Sequence, residues 1–138
     1  MQHSEIILSL FSLGKSYNDK LKKELKKVGI KVAYCKLLSA LAAEDGGTQL
    51  SLVERTGLKA PTVSIVLRKM EKEGFVTRKT DEIDLRRTHV FLTDKGKNAN
   101  KLAIDVVCGL QKKMFSSISD DEMNTFIGVI QKIEKEIK

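Results

Sequence analysis

The segment 50-LSLVERTGLKAPTVSIVLRKMEKEGFVTRKTDEIDLRRTHVFLT-93 decides the fold of this chain. It opens with two short helical runs, 50–56 and 60–74, separated by Gly57. Two helices joined by a glycine turn are the pattern of a helix-turn-helix. At about 100° per residue, Val63, Val66, Leu67 and Met70 fall on one side of the second run and are predicted to face the core. Pro61, Ile65, Arg68 and Lys72 fall on the opposite side, with Thr62, Ser64 and Lys69 on its flanks. Gly74 ends the helix. Residues 75–80 and 88–92 then read as strands, and the polar stretch 81-DEIDLRR-87 as the hairpin loop between them.

Helices are predicted on both sides of this segment. Residues 32–43 form one, with Val32, Cys35, Leu38 and Ala42 on one side and Leu37 and Leu41 beside them. The sequence 44-EDGG-47 breaks it. Upstream, Ile6, Ile7, Leu10, Phe11, Leu13, Tyr17, Leu21, Leu25 and Val28 recur at spacings of three and four, giving a helix over 4–28 that Gly29 stops. Its outer face is dense in lysine. Downstream, two helices are expected at 94–117 and 120–137, the second opened by the serine cap of 119-SDDE-122. The fold class is therefore mainly α: six helices and one two-stranded hairpin in a single domain, 1–138. Residues 31–93 carry the helix-turn-helix. Residues 1–30 and 94–138 carry apolar stripes that one chain has little else to cover, so pairing of two copies about a two-fold axis is expected.

Lys and Arg number 25 against 18 acidic residues, a net charge of +7. Such an excess points to a polyanion, or to solubility alone. The two cysteines, Cys35 and Cys108, are far apart and belong to no metal motif, which fits a reducing compartment and no metal or cofactor. The apolar run 6-IILSLFSL-13 has no basic flank before it and no cleavage site after it. No run approaches the roughly 20 apolar residues of a membrane span. A cytoplasmic location is expected.

The outward face of 60–74 is small at its start and basic further along. Small residues let a helix press its first turn into a major groove. There Thr62 and Ser64 can bond base edges or phosphates, and Ile65 can meet thymine methyls. A hairpin beside such a helix is a wing. Its tip carries Arg86 and Arg87, and arginine suits the narrow, electronegative minor groove. Asp84 can hold the Arg86 guanidinium or the loop by hydrogen bonds, or it is simply a turn-forming acid.

On these residues the chain resembles the MarR family of winged-helix transcription regulators. The landmarks are Gly57-Leu58, Pro61-Thr62-Val63-Ser64, the helix end from Leu67 to Gly74, Asp84-x-Arg86, and Leu92-Thr93-Asp94-Lys95-Gly96. The resemblance is close over about 50 residues (48–96), and the flanking helices match in kind and order. It implies a homodimeric DNA-binding regulator, a repressor, on a pseudo-palindromic operator, with release by a small molecule or by thiol oxidation. Two positions depart from the pattern. Lys59 stands where a small capping residue is usual, so it is expected to contact a phosphate instead. Ile65 stands where a polar or basic residue is common.

Other functions find less support. His3 and His89 are isolated, and no Gly-rich phosphate loop or Ser-His-Asp spacing occurs, so no enzyme is expected. His89 is read as packing or solvating beside the wing. A winged-helix module that binds a protein partner, or a thiol redox sensor using Cys35 or Cys108, are the alternatives. Phe11, Tyr17 and Tyr34 could line a pocket for a small aromatic effector, or could equally be core.

Overall fold

The structure is a computed structural model and describes residues 2–138. Its elements run α1 (His3–Lys26), α2 (Val32–Ala43), α3 (Gln49–Thr56), α4 (Ala60–Lys72), β1 (Val76–Thr80), β2 (Thr88–Leu92), α5 (Asp94–Met114) and α6 (Asp120–Ile137). The order matches the expected one, and the chain has a winged helix-turn-helix fold. Two compact units divide within α5, one reaching Val107 and the other spanning Cys108–Lys138.

In the first unit the core forms where α2, α3, α4 and the hairpin meet. Leu37, Leu38, Leu41, Leu52, Val63, Leu67, Met70 and Val90 are buried there, and Leu25 is buried on α1. Each such aliphatic side chain contributes about 1.5–3 kcal/mol by leaving water. On α4 the predicted face is the buried one: Val63, Val66, Leu67 and Met70. On α2 the face is turned from the expected one. Tyr34, Leu37, Leu38 and Leu41 are buried, while Val32 and Cys35 are half-buried and Ala42 is exposed. Tyr34 sets this rotation, its ring meeting Phe75 edge-on at 5.7 Å. The larger tyrosine and leucines bury more apolar area than valine, cysteine and alanine would.

Local chemistry fixes the element ends. Thr48 caps α3, its hydroxyl accepting from the Ser51 N–H at 3.1 Å. Gly57 takes φ +68, the left-handed conformation that turns the chain between α3 and α4. Phe75 is not part of the first strand as expected: its N–H closes the end of α4 on the Met70 carbonyl at 2.9 Å. β1 and β2 pair antiparallel from Val76↔Leu92 to Thr80↔Thr88. Thr93 then starts α5, its hydroxyl accepting from the Gly96 N–H at 3.0 Å. Gly96 is needed here because a Cβ at this position would stand 2.1 Å from the Phe75 carbonyl oxygen.

α1 is shorter than predicted, ending at Lys26 in a turn through Gly29 at φ +75. Only Leu21 and Leu25 of α1 are buried, whereas Ile6, Ile7, Leu8, Leu10, Phe11 and Leu13 are exposed. α5 ends at Met114 rather than 117. The Ser116 hydroxyl donates to the Lys113 carbonyl at 2.8 Å, competing with continued helix. In the second unit α6 starts with the expected capping box. The Ser119 hydroxyl accepts from the Glu122 N–H, and the Glu122 carboxylate accepts from the Ser119 N–H, both at 3.1 Å. No residue of α6 is buried, and Phe126, Ile127, Val129, Ile130 and Ile133 are exposed along it.

Candidate nucleic-acid interface

α4 presents its outer face to solvent as the core contacts require. Lys59, Pro61, Thr62, Ile65, Arg68, Lys69 and Lys72 are exposed and Ser64 is half-buried. Ile65, at 52% exposure, is left in water by a helix whose other large aliphatic residues, Val63, Val66, Leu67 and Met70, are packed. Lys59 is the N-cap and makes no side-chain capping bond. The first-turn N–H groups of α4 therefore keep their donor capacity and the positive end of the helix dipole, a site suited to a phosphate.

The wing is fixed to α4 by Arg78. Its Nε and Nη2 donate to the Glu71 carboxylate at 3.2 and 2.9 Å, which also depresses the pKa of Glu71. At the tip, the loop closes on itself through backbone bonds from Asp81 N–H to the Arg87 carbonyl and from Arg87 N–H to the Asp84 carbonyl, each 2.9 Å. Asp84 Oδ1 accepts from both the N–H and Nε of Arg86 at 3.1 Å, and Oδ2 from Nη2 at 3.4 Å. Both readings of Asp84 thus describe one carboxylate, which shapes the turn and grips the guanidinium. The Arg86 side-chain bond is the main cause of its lowered pKa. Arg86 keeps 92% of its side chain exposed while aimed in this way. Arg87 is also exposed, its Nε 3.8 Å from Asp84 Oδ2.

Between the wing loop and the start of α3 lies a concavity of about 500 Å³ lined by Thr48, Gln49, Leu50, Asp84, Arg86, Arg87 and Thr88. The wing is joined to the turn before α3 by backbone bonds from Gly46 N–H to the Val90 carbonyl and from Val90 N–H to the Gly47 carbonyl, both 2.9 Å. It is also joined by His89, which sits between the Gly46 carbonyl (Nδ1, 2.9 Å) and Asp81 Oδ2 (Nε2, 2.8 Å). His89 is therefore a connector, a more specific role than packing or solvation. The sequence carried a signal for it: Lys79 pairs with His89 in the register, so Asp81 lies just past the last rung on the opposite strand.

The three aromatic residues considered for an effector pocket occupy different settings. Phe11 is 72% exposed on α1, Tyr17 is half-buried, and Tyr34 is buried in the core. Burial, then the nearby Glu73 carboxylate, raises the pKa of the Tyr34 hydroxyl. Cys35 is half-buried with its thiol pKa raised by burial, and Cys108 is exposed. Among the described residues no cluster of His, Cys, Asp and Glu could hold a metal ion, and no helix is long and apolar enough to cross a membrane.

Residues 34–88 match the model of the MarR family. The transcriptional regulator HosA of Escherichia coli O157:H7 is 28% identical over 97 residues, 70% of this chain and 72% of HosA. Among solved structures, the Staphylococcus aureus MepR–DNA complex aligns with a TM-score of 0.84 at 22% identity, over 99% of both chains. The organohalide-sensing regulator RdhR-CbdbA1625 in its 2,4-dichlorophenol-bound form aligns with a TM-score of 0.86 at 18% identity, over 99% of this chain and 82% of that one.

Proposed function

Over its winged-helix segment the chain belongs to the MarR family of transcriptional regulators, and from that premise we propose that it acts in the cytoplasm as a homodimeric repressor, without enzymatic activity. Each protomer lays α4 in the major groove and the wing tip in the adjacent minor groove of a pseudo-palindromic operator. The observation that carries this reading is the pairing of an exposed, small-then-basic face on α4 with an exposed Arg86 that Asp84 holds at the wing tip. Thr62, Ser64 and Ile65 address base edges, with Pro61 allowing close approach. Lys59, Arg68, Lys69 and Lys72 address phosphates, and Arg86 and Arg87 the minor groove. MepR, with the same fold, has been solved on DNA.

Dimerisation covers the apolar side chains that α1 and α6 each leave exposed. Large apolar side chains exposed in this number along a helix mark an interaction surface. A small aromatic effector that releases the DNA is part of the proposal, supported by the phenol-bound regulator of the same fold. Phe11 and Tyr17 are candidates to contact it, whereas Tyr34 is committed to packing against Phe75. Thiol sensing is disfavoured at Cys35, where burial suppresses the thiolate.

Selection of bound duplexes from a random DNA pool tests this reading. A shared inverted repeat with half-sites about 10 bp apart is expected. Binding should weaken steeply with salt as counterions return to the backbone. A pool that stays random, or binding indifferent to salt, refutes it.

A further inference from the structure

The sequence of hydrogen bonds through His89 leads from the body of the winged helix to the wing tip. Asp81 offers Oδ2 to His89 and Oδ1 to the N–H groups of Ile83 and Asp84 at 2.8 and 2.9 Å. It thereby orders the loop that presents Asp84, and Asp84 in turn holds Arg86. On its other side His89 meets the Gly46 carbonyl, which belongs to the turn between α2 and α3. Both ring nitrogens therefore face acceptors. A neutral imidazole carries one N–H and one lone pair. It could satisfy one of these partners and would set a lone pair against the oxygen of the other. Only the doubly protonated ring donates to both.

We propose that His89, held as an imidazolium between the Gly46 carbonyl and Asp81, is a positioning residue that sets the wing tip and Arg86 for DNA, and that DNA binding consequently weakens as the ring loses its proton. The proposal rests on the DNA-binding reading above and adds a residue and a condition to it.

The surroundings agree on the direction. The Asp81 bond, and after it the Gly46 carbonyl, raises the pKa of His89 above the ordinary 6.5, with Arg87 opposing. Lys79, the cross-strand neighbour, is turned to Glu82 at 3.8 Å. On the turn before α3, Glu44 pairs with Arg55, and Asp45 accepts from the Leu92 N–H at 2.8 Å. The Asp81 carboxyl is held far below the usual range by the Asp84 N–H first, then by His89 and the Ile83 N–H. It therefore stays charged throughout the histidine's titration. A group with a raised folded-state pKa contributes fully below its unfolded value and loses that contribution as pH rises through the folded one. The latch is thus complete below the ordinary histidine value of 6.5 and is released as the pH rises through the raised one.

The experiment has two arms. Nitrogen NMR of the whole protein should show both His89 ring nitrogens protonated at about pH 6 and a titration above 6.5. A ring that is neutral at that pH, or that titrates at or below 6.5, overturns the proposal without reference to DNA. In the second arm, affinity for a duplex recovered from the random pool is measured from about pH 6 to about pH 9. The dissociation constant of the wild type and of His3→Gln should rise with pH, with a slope of at most about two decades per unit because one proton is linked in each of the two protomers. His89→Gln and Asp81→Asn should bind more weakly at the acid end, and His89→Gln should lose the slope. A wild-type slope retained in folded His89→Gln overturns the proposal. A wild type that binds no duplex at any pH overturns the DNA-binding reading itself, and this proposal with it.

Discussion

Replacing Gly96 with alanine sets two effects of opposite sign against each other. Gly96 lies in the first turn of α5, where alanine would ordinarily stabilise the helix by up to about 1 kcal/mol. Its added Cβ, however, would stand 2.1 Å from the Phe75 carbonyl oxygen and 3.1 Å from Leu92 Cδ2. Carbon–oxygen contacts settle at about 3.3 Å or more, so α5 and the start of the wing must separate by roughly 1 Å. The Phe75 oxygen also accepts from the N–H of Thr93 at 3.1 Å, and a shift of that size puts this bond out of reach. One neutral hydrogen bond at about 1 kcal/mol, with overpacking of about 1–3 kcal/mol, exceeds the helix gain. The expected net loss is about 1–3 kcal/mol, read as a lower urea midpoint with an unchanged slope. Gly109→Ala, whose Cβ would meet nothing within 4 Å in the chain, is the control and should not destabilise. A Gly96→Ala protein as stable as the wild type, or more so, would refute the close approach between α5 and the end of α4.

Arg86→Ala should leave the urea midpoint nearly unchanged, since the side chain is 92% exposed, yet weaken binding to a selected duplex by about 1–3 kcal/mol; unchanged affinity at moderate salt would remove Arg86 from the interface. Lys72→Ala should lower affinity for all duplexes alike and reduce the salt slope by about 1, whereas substitution of Ile65 should alter which bases are selected; a sequence-dependent effect at Lys72 would contradict its phosphate assignment. Ile130→Asp places a charge on the exposed apolar side of α6 and should convert a sedimenting dimer to monomer or unfolded chain, because a buried unpaired charge is costly; a wild-type-like dimer would exclude that surface.

The sequence by itself determined the element order and the face of α4. Glycines at 57 and 74 and the period of Val63, Val66, Leu67 and Met70 are local signals, and helix period and chain reversal are local properties. The capping box at Ser119 was legible for the same reason. Asp84 was legible as a partner of Arg86 because only Leu85 separates them along one loop. Only the tertiary structure decided the rotation of α2, since the packing of Tyr34 on Phe75, 41 positions away, outweighs the weak local preference of a helix apolar on several sides. His89 was legible only in part. Its bond to Asp81 follows from hairpin register, but its bond to the Gly46 carbonyl spans 43 positions and depends on how the turn before α3 lies against β2. Periodicity assigns a side chain to a face; which oxygen it meets there is fixed only when the other elements pack against that face.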